Sequence, residues 1–67
     1  MKLNAIVVGS TGLVGQRLVY YLTNHPWFKL IGLTASKEKS GKKYMDAVKW
    51  SLENEMPKEV KDMIVYD

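Results

Sequence analysis

The sequence contains no cysteine among its 67 residues. Its absence excludes a disulfide framework and a thiolate metal site, and it leaves these residues without a cysteine nucleophile. Long apolar runs are also missing, since none approaches the ~18 residues of a membrane-spanning helix. The apolar start gives way at once to a glycine-rich turn, which favours a folded strand over a signal peptide. We therefore expect a cytoplasmic protein with no membrane segment and no metal site.

The net charge is small, and the chain has only one histidine. Ten Lys plus Arg against seven Asp plus Glu give a net charge of +3, which is too weak to indicate a nucleic-acid partner. The lysines between positions 37 and 43 have no aromatic residues interleaved with them, as a base-stacking surface would require. The single histidine, His25, precedes Pro26 at a predicted helix end. We expect no catalytic residue in this chain.

The residues that are present centre on a glycine-rich turn. A β-branched apolar run over residues 3–8 predicts a buried strand covered on both faces, and the spacing Gly9-x-x-Gly12-x-x-Gly15 follows it. We expect Gly9 to permit a tight turn, Gly12 to let backbone approach a phosphate, and Gly15 to let a helix pack closely. Because N–H groups at a helix N-terminus attract anions, the turn predicts a pyrophosphate site.

A helix is predicted from Leu13 to Asn24, with Ser10 or Thr11 as its N-cap. Its expected inward stripe consists of Val14, Leu18, Tyr21 and Leu22. Gln16 falls on the polar side of that helix. The apolar run over residues 28–35 predicts a second strand, and a strand, a helix and a strand in so few residues form a right-handed βαβ unit.

The remaining residues predict smaller elements and a third strand. These are a polar loop over residues 36–43, a short helix over 44–50 with Tyr44, Val48 and Ala47 inward, a brief helix over 58–61 and a strand over 63–66. The fold class is therefore α/β, and residues 1–67 form the N-terminal portion of a Rossmann-type doubly wound parallel sheet. Such a sheet leaves an open edge and an uncovered face, so we expect further residues or a partner chain to complete it.

The end of the second strand indicates which dinucleotide binds. NAD sites usually place Asp or Glu about 20 residues after the turn, where the carboxylate holds the ribose 2′-OH. This chain has Ser36 there, with lysines close by, and a hydroxyl and an ammonium group both donate to a 2′-phosphate. We therefore predict NADP as the cofactor, with Glu38 as a competing acceptor for a ribose hydroxyl.

Several segments together carry a family resemblance. They are the glycine turn with Gln16-Arg17, His25-Pro26-Trp27-Phe28, Ala35-Ser36, Gly41-Lys42-Lys43-Tyr44 and Asp46-Ala47-Val48-Lys49-Trp50. In this combination the chain resembles the N-terminus of aspartate-semialdehyde dehydrogenase, in its archaeal and fungal branch. The glycine turn is shared by many families, whereas the other motifs are much more specific.

The resemblance implies an oxidoreductase of amino-acid biosynthesis. Its activity would be the NADPH-dependent reduction of aspartyl phosphate to aspartate semialdehyde, which serves lysine, threonine and methionine synthesis. It also implies a catalytic Cys and His, and this chain has no Cys while His25 does not match the catalytic position. A catalytic and dimerisation domain is therefore expected outside these residues, in a protein that forms homo-oligomers when full length.

Cofactor binding is what the resemblance transfers to this chain. The predicted cofactor-binding residues are Gly9, Ser10, Thr11, Gly12, Leu13, Val14, Gly15, Ser36 and Lys39. The family often has Arg or Ser where Glu38 stands, which leaves the cation for the 2′-phosphate open. Lys39 is the expected cation, and Lys37 is the alternative.

Three other interpretations stay open. N-acetyl-glutamyl-phosphate reductase is similar in its glycine turn and in His25-Pro26, but fits residues 44–50 less well. A non-catalytic module would bind NADP without turnover. A fragment with an incomplete sheet would bind nothing, and calorimetry with NADP and NAD separates the last two.

Overall fold

A computed structural model describes residues 2–67 and shows one parallel sheet. Its strands are β1 (Leu3–Val7), β2 (Phe28–Thr34) and β3 (Val65–Tyr66), in the order β1-β2-β3. All three predicted strands are confirmed within two residues at each end. β3 is shorter than predicted because Ile64 instead forms an isolated antiparallel bridge with Lys43.

Four helical segments connect the strands. They are α1 (Leu13–Leu22), a 3₁₀ turn (Lys37–Lys39), α2 (Tyr44–Ala47) and α3 (Lys58–Lys61). The 3₁₀ turn lies where the sequence predicted a loop, and α2 ends three residues earlier than expected. No helix in the part of the chain that the structure describes has the length and apolarity needed to cross a membrane.

The core lies between the sheet and the helices. Val7, Leu33 and Val65 are paired across the three strands, so their side chains form a row on the same face of the sheet. The buried apolar residues are Val7, Val19, Leu33, Tyr44, Val48, Val60 and Val65. The inward positions predicted for Tyr44 and Val48 are therefore confirmed.

The predicted inward stripe of α1 is wrong for three of its four residues, since only Leu22 packs against the core. Val14, Leu18 and Tyr21 are 72%, 46% and 65% exposed, whereas the buried residues of α1 are Gly15, Gln16 and Val19. The reason is the close contact of Gly15 with the preceding turn, which fixes the rotation of the helix. These three side chains consequently lie on an exposed flank of α1 within the described residues.

The prediction that β1 is covered on both faces is also wrong. Ile6 is more than half exposed and Val7, its neighbour, is buried. Adjacent strand residues point to opposite faces, so within residues 2–67 only the face that carries Val7 is covered. This agrees with the uncovered sheet face that the strand count predicted.

Candidate functional site

The glycine turn follows β1 and is fastened to the end of β2. Gly9 has φ +71°, a left-handed conformation that glycine adopts without steric cost. The Ser10 N–H donates to the Thr34 carbonyl over 2.8 Å, and the Ser10 hydroxyl donates to the same oxygen over 2.9 Å. The Gly9 N–H donates to the Thr34 hydroxyl over 3.3 Å. The turn is thereby held at the carboxyl end of the sheet.

Gly15 and Gly12 meet different surroundings. A Cβ on Gly15 would lie 2.1 Å from the Gly9 carbonyl oxygen, so only glycine permits this packing of α1 on the turn. A Cβ on Gly12 would approach that oxygen only to 3.7 Å, which is ordinary contact. The folded chain itself therefore requires Gly9 and Gly15, whereas the absence of a side chain at Gly12 leaves space outside the protein.

The predicted N-cap of α1 is wrong. Gly12 is the N-cap, with φ −75° and ψ 167°, and no side chain caps the helix. The Ser10 hydroxyl is instead bonded to β2, and the Thr11 hydroxyl accepts from Lys39. Because the first N–H groups of a helix have no partner within the helix, those of Leu13 and Val14 stay available to an anion at this end.

An open groove of about 670 Å³ runs between the glycine turn and the end of β2. It is lined by Val8, Gly9, Thr11, Gly12, Thr34, Ala35, Ser36 and Asp67. The structure thus brings the glycine turn and Ser36 to one groove, although they are more than 20 residues apart in sequence. Ser36 is exposed, and its side chain makes no capping bond to the 3₁₀ turn that follows.

The two candidate lysines differ in position. The Lys39 ammonium group donates to the Thr11 hydroxyl over 3.4 Å, which places its charge beside the glycine turn. Lys37 and Glu38 are exposed, and their side chains form no hydrogen bond or ion pair with residues 2–67. The geometry places the Lys39 ammonium group beside Thr11, which lines the groove, while its contact with a 2′-phosphate stays a prediction.

Sequence reasoning missed Tyr44 as a residue of this site. Tyr44 was expected only to fill the core, but its hydroxyl donates to the Ser10 carbonyl over 2.6 Å from a fully buried position. Burial raises the pKa of Tyr44 to about 12, so the hydroxyl stays protonated and remains a donor. No local signal marks this contact, because its partners are 34 residues apart.

Gln16 was expected on the polar side of α1, and this prediction is wrong. Gln16 is only 2% exposed. Its Nε2 donates to the Thr11 carbonyl over 3.0 Å and to the Lys49 carbonyl over 3.2 Å, and its Oε1 accepts from the Ser51 N–H over 2.8 Å. A buried amide whose atoms are all paired this way joins the glycine turn to the segment after α2.

His25 lies at the other end of α1. Its Nδ1 accepts from the Trp27 N–H over 3.0 Å, which is a turn contact after the helix. In residues 2–67 no group of three or more His, Cys, Asp or Glu side chains has the arrangement of a metal site.

These features define a class of protein. A parallel βαβ unit whose first strand runs through a glycine turn into a helix, with a groove at the carboxyl end of the strands, is a Rossmann-type dinucleotide-binding fold. A family profile described as "Semialdehyde dehydrogenase, NAD binding domain" matches residues 4–67. The chain belongs to this family.

Its relatives agree with this assignment. The chain is 44% identical to an aspartate-semialdehyde dehydrogenase of Archaeoglobus fulgidus, over 94% of this chain and 18% of that protein. It is 49% identical to the Saccharomyces cerevisiae enzyme, over 88% of this chain and 16% of that protein. A crystal structure titled as the Candida albicans enzyme with NADP matches all of this chain and 19% of its own, at 39% identity and TM-score 0.95. The chain thus spans about a fifth of the length of these relatives.

Proposed function

We propose that this chain binds NADP across the groove between the glycine turn and Ser36, as the cofactor-binding segment of an aspartate-semialdehyde dehydrogenase. The observation that carries the proposal is that one groove is lined by the glycine turn and by Ser36, with the Lys39 ammonium group beside it. A solved relative whose title names NADP supports the choice of cofactor.

Each end of the groove fits a different part of the cofactor. The diphosphate would lie against the N–H groups at the start of α1, where the helix dipole adds roughly 0.3–1 kcal/mol for an exposed anion. The 2′-phosphate would accept hydrogen bonds from the Ser36 hydroxyl and the Lys39 ammonium group. When bound, the nicotinamide supplies or accepts the hydride of the reaction. Residues 9–15 would bind the cofactor at its diphosphate and thereby orient it.

The activity of the whole protein is part of the proposal. The named relatives are aspartate-semialdehyde dehydrogenases, and each is several times longer than this chain. We propose that residues 1–67 form the N-terminal portion of the dinucleotide-binding domain, and that the catalytic Cys and His belong to the remainder of such an enzyme. Assembly into homo-oligomers and a cytoplasmic location, which the family resemblance implies, stay predictions.

Calorimetric titration with NADP and NAD tests the cofactor assignment. We expect NADP to bind at least about tenfold more tightly, because hydrogen bonds to a charged group contribute roughly 1.5–3 kcal/mol. Ser36→Asp should move the preference toward NAD, since its carboxylate repels the 2′-phosphate and accepts from a ribose 2′-OH. Asn54→Asp, which adds the same charge away from the groove, is the matched control. An unchanged NADP-to-NAD ratio in Ser36→Asp would remove Ser36 from the site.

The same titration distinguishes the two lysines. Lys39→Gln should weaken NADP binding and leave NAD binding nearly unchanged, because the ammonium group would contact the cofactor only at its 2′-phosphate. Lys37→Gln, an identical change two residues away, should have little effect. A larger effect at Lys37 would reverse their roles.

A further inference from the structure

We propose that Tyr44 and Gln16 are positioning residues for the cofactor, because they hold the peptide groups of the glycine turn in the orientation that receives the diphosphate. The inference rests on the proposed function and adds residues that lie behind the groove. Neither side chain lines the groove. Both act on carbonyl groups of the turn.

Tyr44 fixes the peptide between Ser10 and Thr11. Its hydroxyl holds the Ser10 carbonyl toward the core over 2.6 Å. The C=O and N–H of a trans peptide point in opposite directions, so the Thr11 N–H points away from the core. Thr11 lines the groove, and its N–H donates to no acceptor in residues 2–67. The buried phenol therefore aims a free donor at the position where an anion would bind.

Gln16 fixes the next peptide. Its Nε2 donates to the Thr11 carbonyl and to the Lys49 carbonyl, and its Oε1 accepts from the Ser51 N–H. The following N–H, that of Gly12, donates to the Gly9 carbonyl over 3.3 Å within the turn. Two consecutive peptide groups are thus each hydrogen-bonded to a buried side chain.

Preorganised donors bind an anion more tightly than donors that must first be ordered. We expect the orientation set by Tyr44 and Gln16 to affect the affinity only for ligands that carry a diphosphate. A ligand with the 2′-phosphate alone would contact Ser36 and Lys39 and would not depend on the orientation of the Thr11 N–H. This difference separates positioning from a general effect on folding.

The test compares Tyr44→Phe with Tyr21→Phe, which removes an exposed hydroxyl from the uncovered flank of α1. In Tyr44→Phe we expect NADP affinity to fall about tenfold and affinity for adenosine 2′-monophosphate to stay unchanged. The amide signal of Thr11 in the cofactor-free protein should shift in its NMR spectrum. Tyr21→Phe should change none of the three.

Gln16→Met provides a second variant of similar volume that lacks the amide. It should repeat the pattern of Tyr44→Phe. Unchanged NADP binding in both variants, an equal loss for both ligands, or loss of folding in both would overturn the assignment. If the unaltered protein fails to bind NADP, the proposed function itself is wrong. A fall in NADP affinity in these two variants, with unchanged affinity for adenosine 2′-monophosphate and no change in Tyr21→Phe, would support both proposals.

Discussion

At the residue scale, the three glycines of the turn meet different physical requirements. Gly9 supplies a left-handed backbone, and Gly15 permits a contact that any Cβ would block. Gly12 satisfies no such requirement of the folded chain, since a Cβ there would meet only ordinary contact. We therefore propose that its lack of a side chain serves the approach of a phosphate rather than packing.

This difference predicts opposite outcomes for two matched substitutions. Gly15→Ala should lower the free energy of unfolding by about 3 kcal/mol, because the new methyl group collides with backbone atoms that the turn cannot move. Gly12→Ala should change it by less than about 1 kcal/mol while weakening NADP binding at least tenfold. Chemical denaturation and calorimetry measure the two effects. Full binding by Gly12→Ala would contradict the phosphate-approach role.

The roles of Gly9 and Gly15 were predictable from sequence, whereas the supporting side chains were not. Steric freedom at Gly9 and Gly15 follows from local geometry, so the spacing alone indicates it. The burial of Gln16 depends on carbonyl and N–H groups at Lys49 and Ser51, which are more than 30 residues away. Periodicity within one helix contains no information about such partners.

At the element scale, the C-cap of α1 is followed by a residue in the left-handed conformation. The C-cap Thr23 donates its N–H and its hydroxyl to the Val19 carbonyl, over 3.1 and 2.7 Å. Asn24 follows with φ 61°, and its Nδ2 donates to a Glu59 carboxylate oxygen over 2.7 Å. The hydrogen bond from Asn24 joins the end of α1 to α3.

Two substitutions at Asn24 separate the backbone effect from the hydrogen bond. A backbone hydrogen bond within Glu59, and then the bond from Asn24, hold the pKa of Glu59 below its usual value. Asn24→Gly and Asn24→Ala should both raise that pKa, as followed by NMR titration of the carboxyl group. Only Asn24→Ala should also lower the free energy of unfolding, by roughly 1–2 kcal/mol, because a left-handed conformation is unfavourable for a residue with a Cβ. Equal stability of the two variants would contradict the backbone argument.

The rotation of α1 shows where periodicity fails as a predictor. The stripe of Val14, Leu18 and Tyr21 has the correct spacing for a packed helix face, but the contact at Gly15 turns that face aside. A small residue that allows close approach decides the rotation here, because its position is fixed by the turn that precedes it. The existence and bounds of α1 were predictable, and its buried side was not.

At the scale of the whole molecule, the order and direction of the strands follow from the chain itself. Short crossovers between apolar runs permit few topologies, and the observed parallel order β1-β2-β3 is the simplest of them. The groove then arises because parallel strands end at the same edge of the sheet. Its facing residues, Gly9 and Ser36, were predictable for this reason.

The stability of the whole molecule should depend on Tyr44 at high pH. Burial raises the pKa of Tyr44 from 10.0 to about 12, so the unfolded chain loses its phenol proton before the folded chain does. The contribution is fully present below about pH 10 and is lost as the pH rises toward about 12. Denaturation of Tyr44→Phe should show a shallower decline over this range than Tyr21→Phe. Parallel declines would place the Tyr44 hydroxyl in contact with solvent.

The glycine turn presents peptide N–H groups to the groove, and amide protons do not ionise at any pH that a folded protein survives. The charge that these N–H groups present to the groove is therefore independent of pH. Proton concentration acts instead on the 2′-phosphate of the cofactor itself. The contribution of the turn to binding the diphosphate is therefore independent of pH. The preference for NADP over NAD, in contrast, can change with pH.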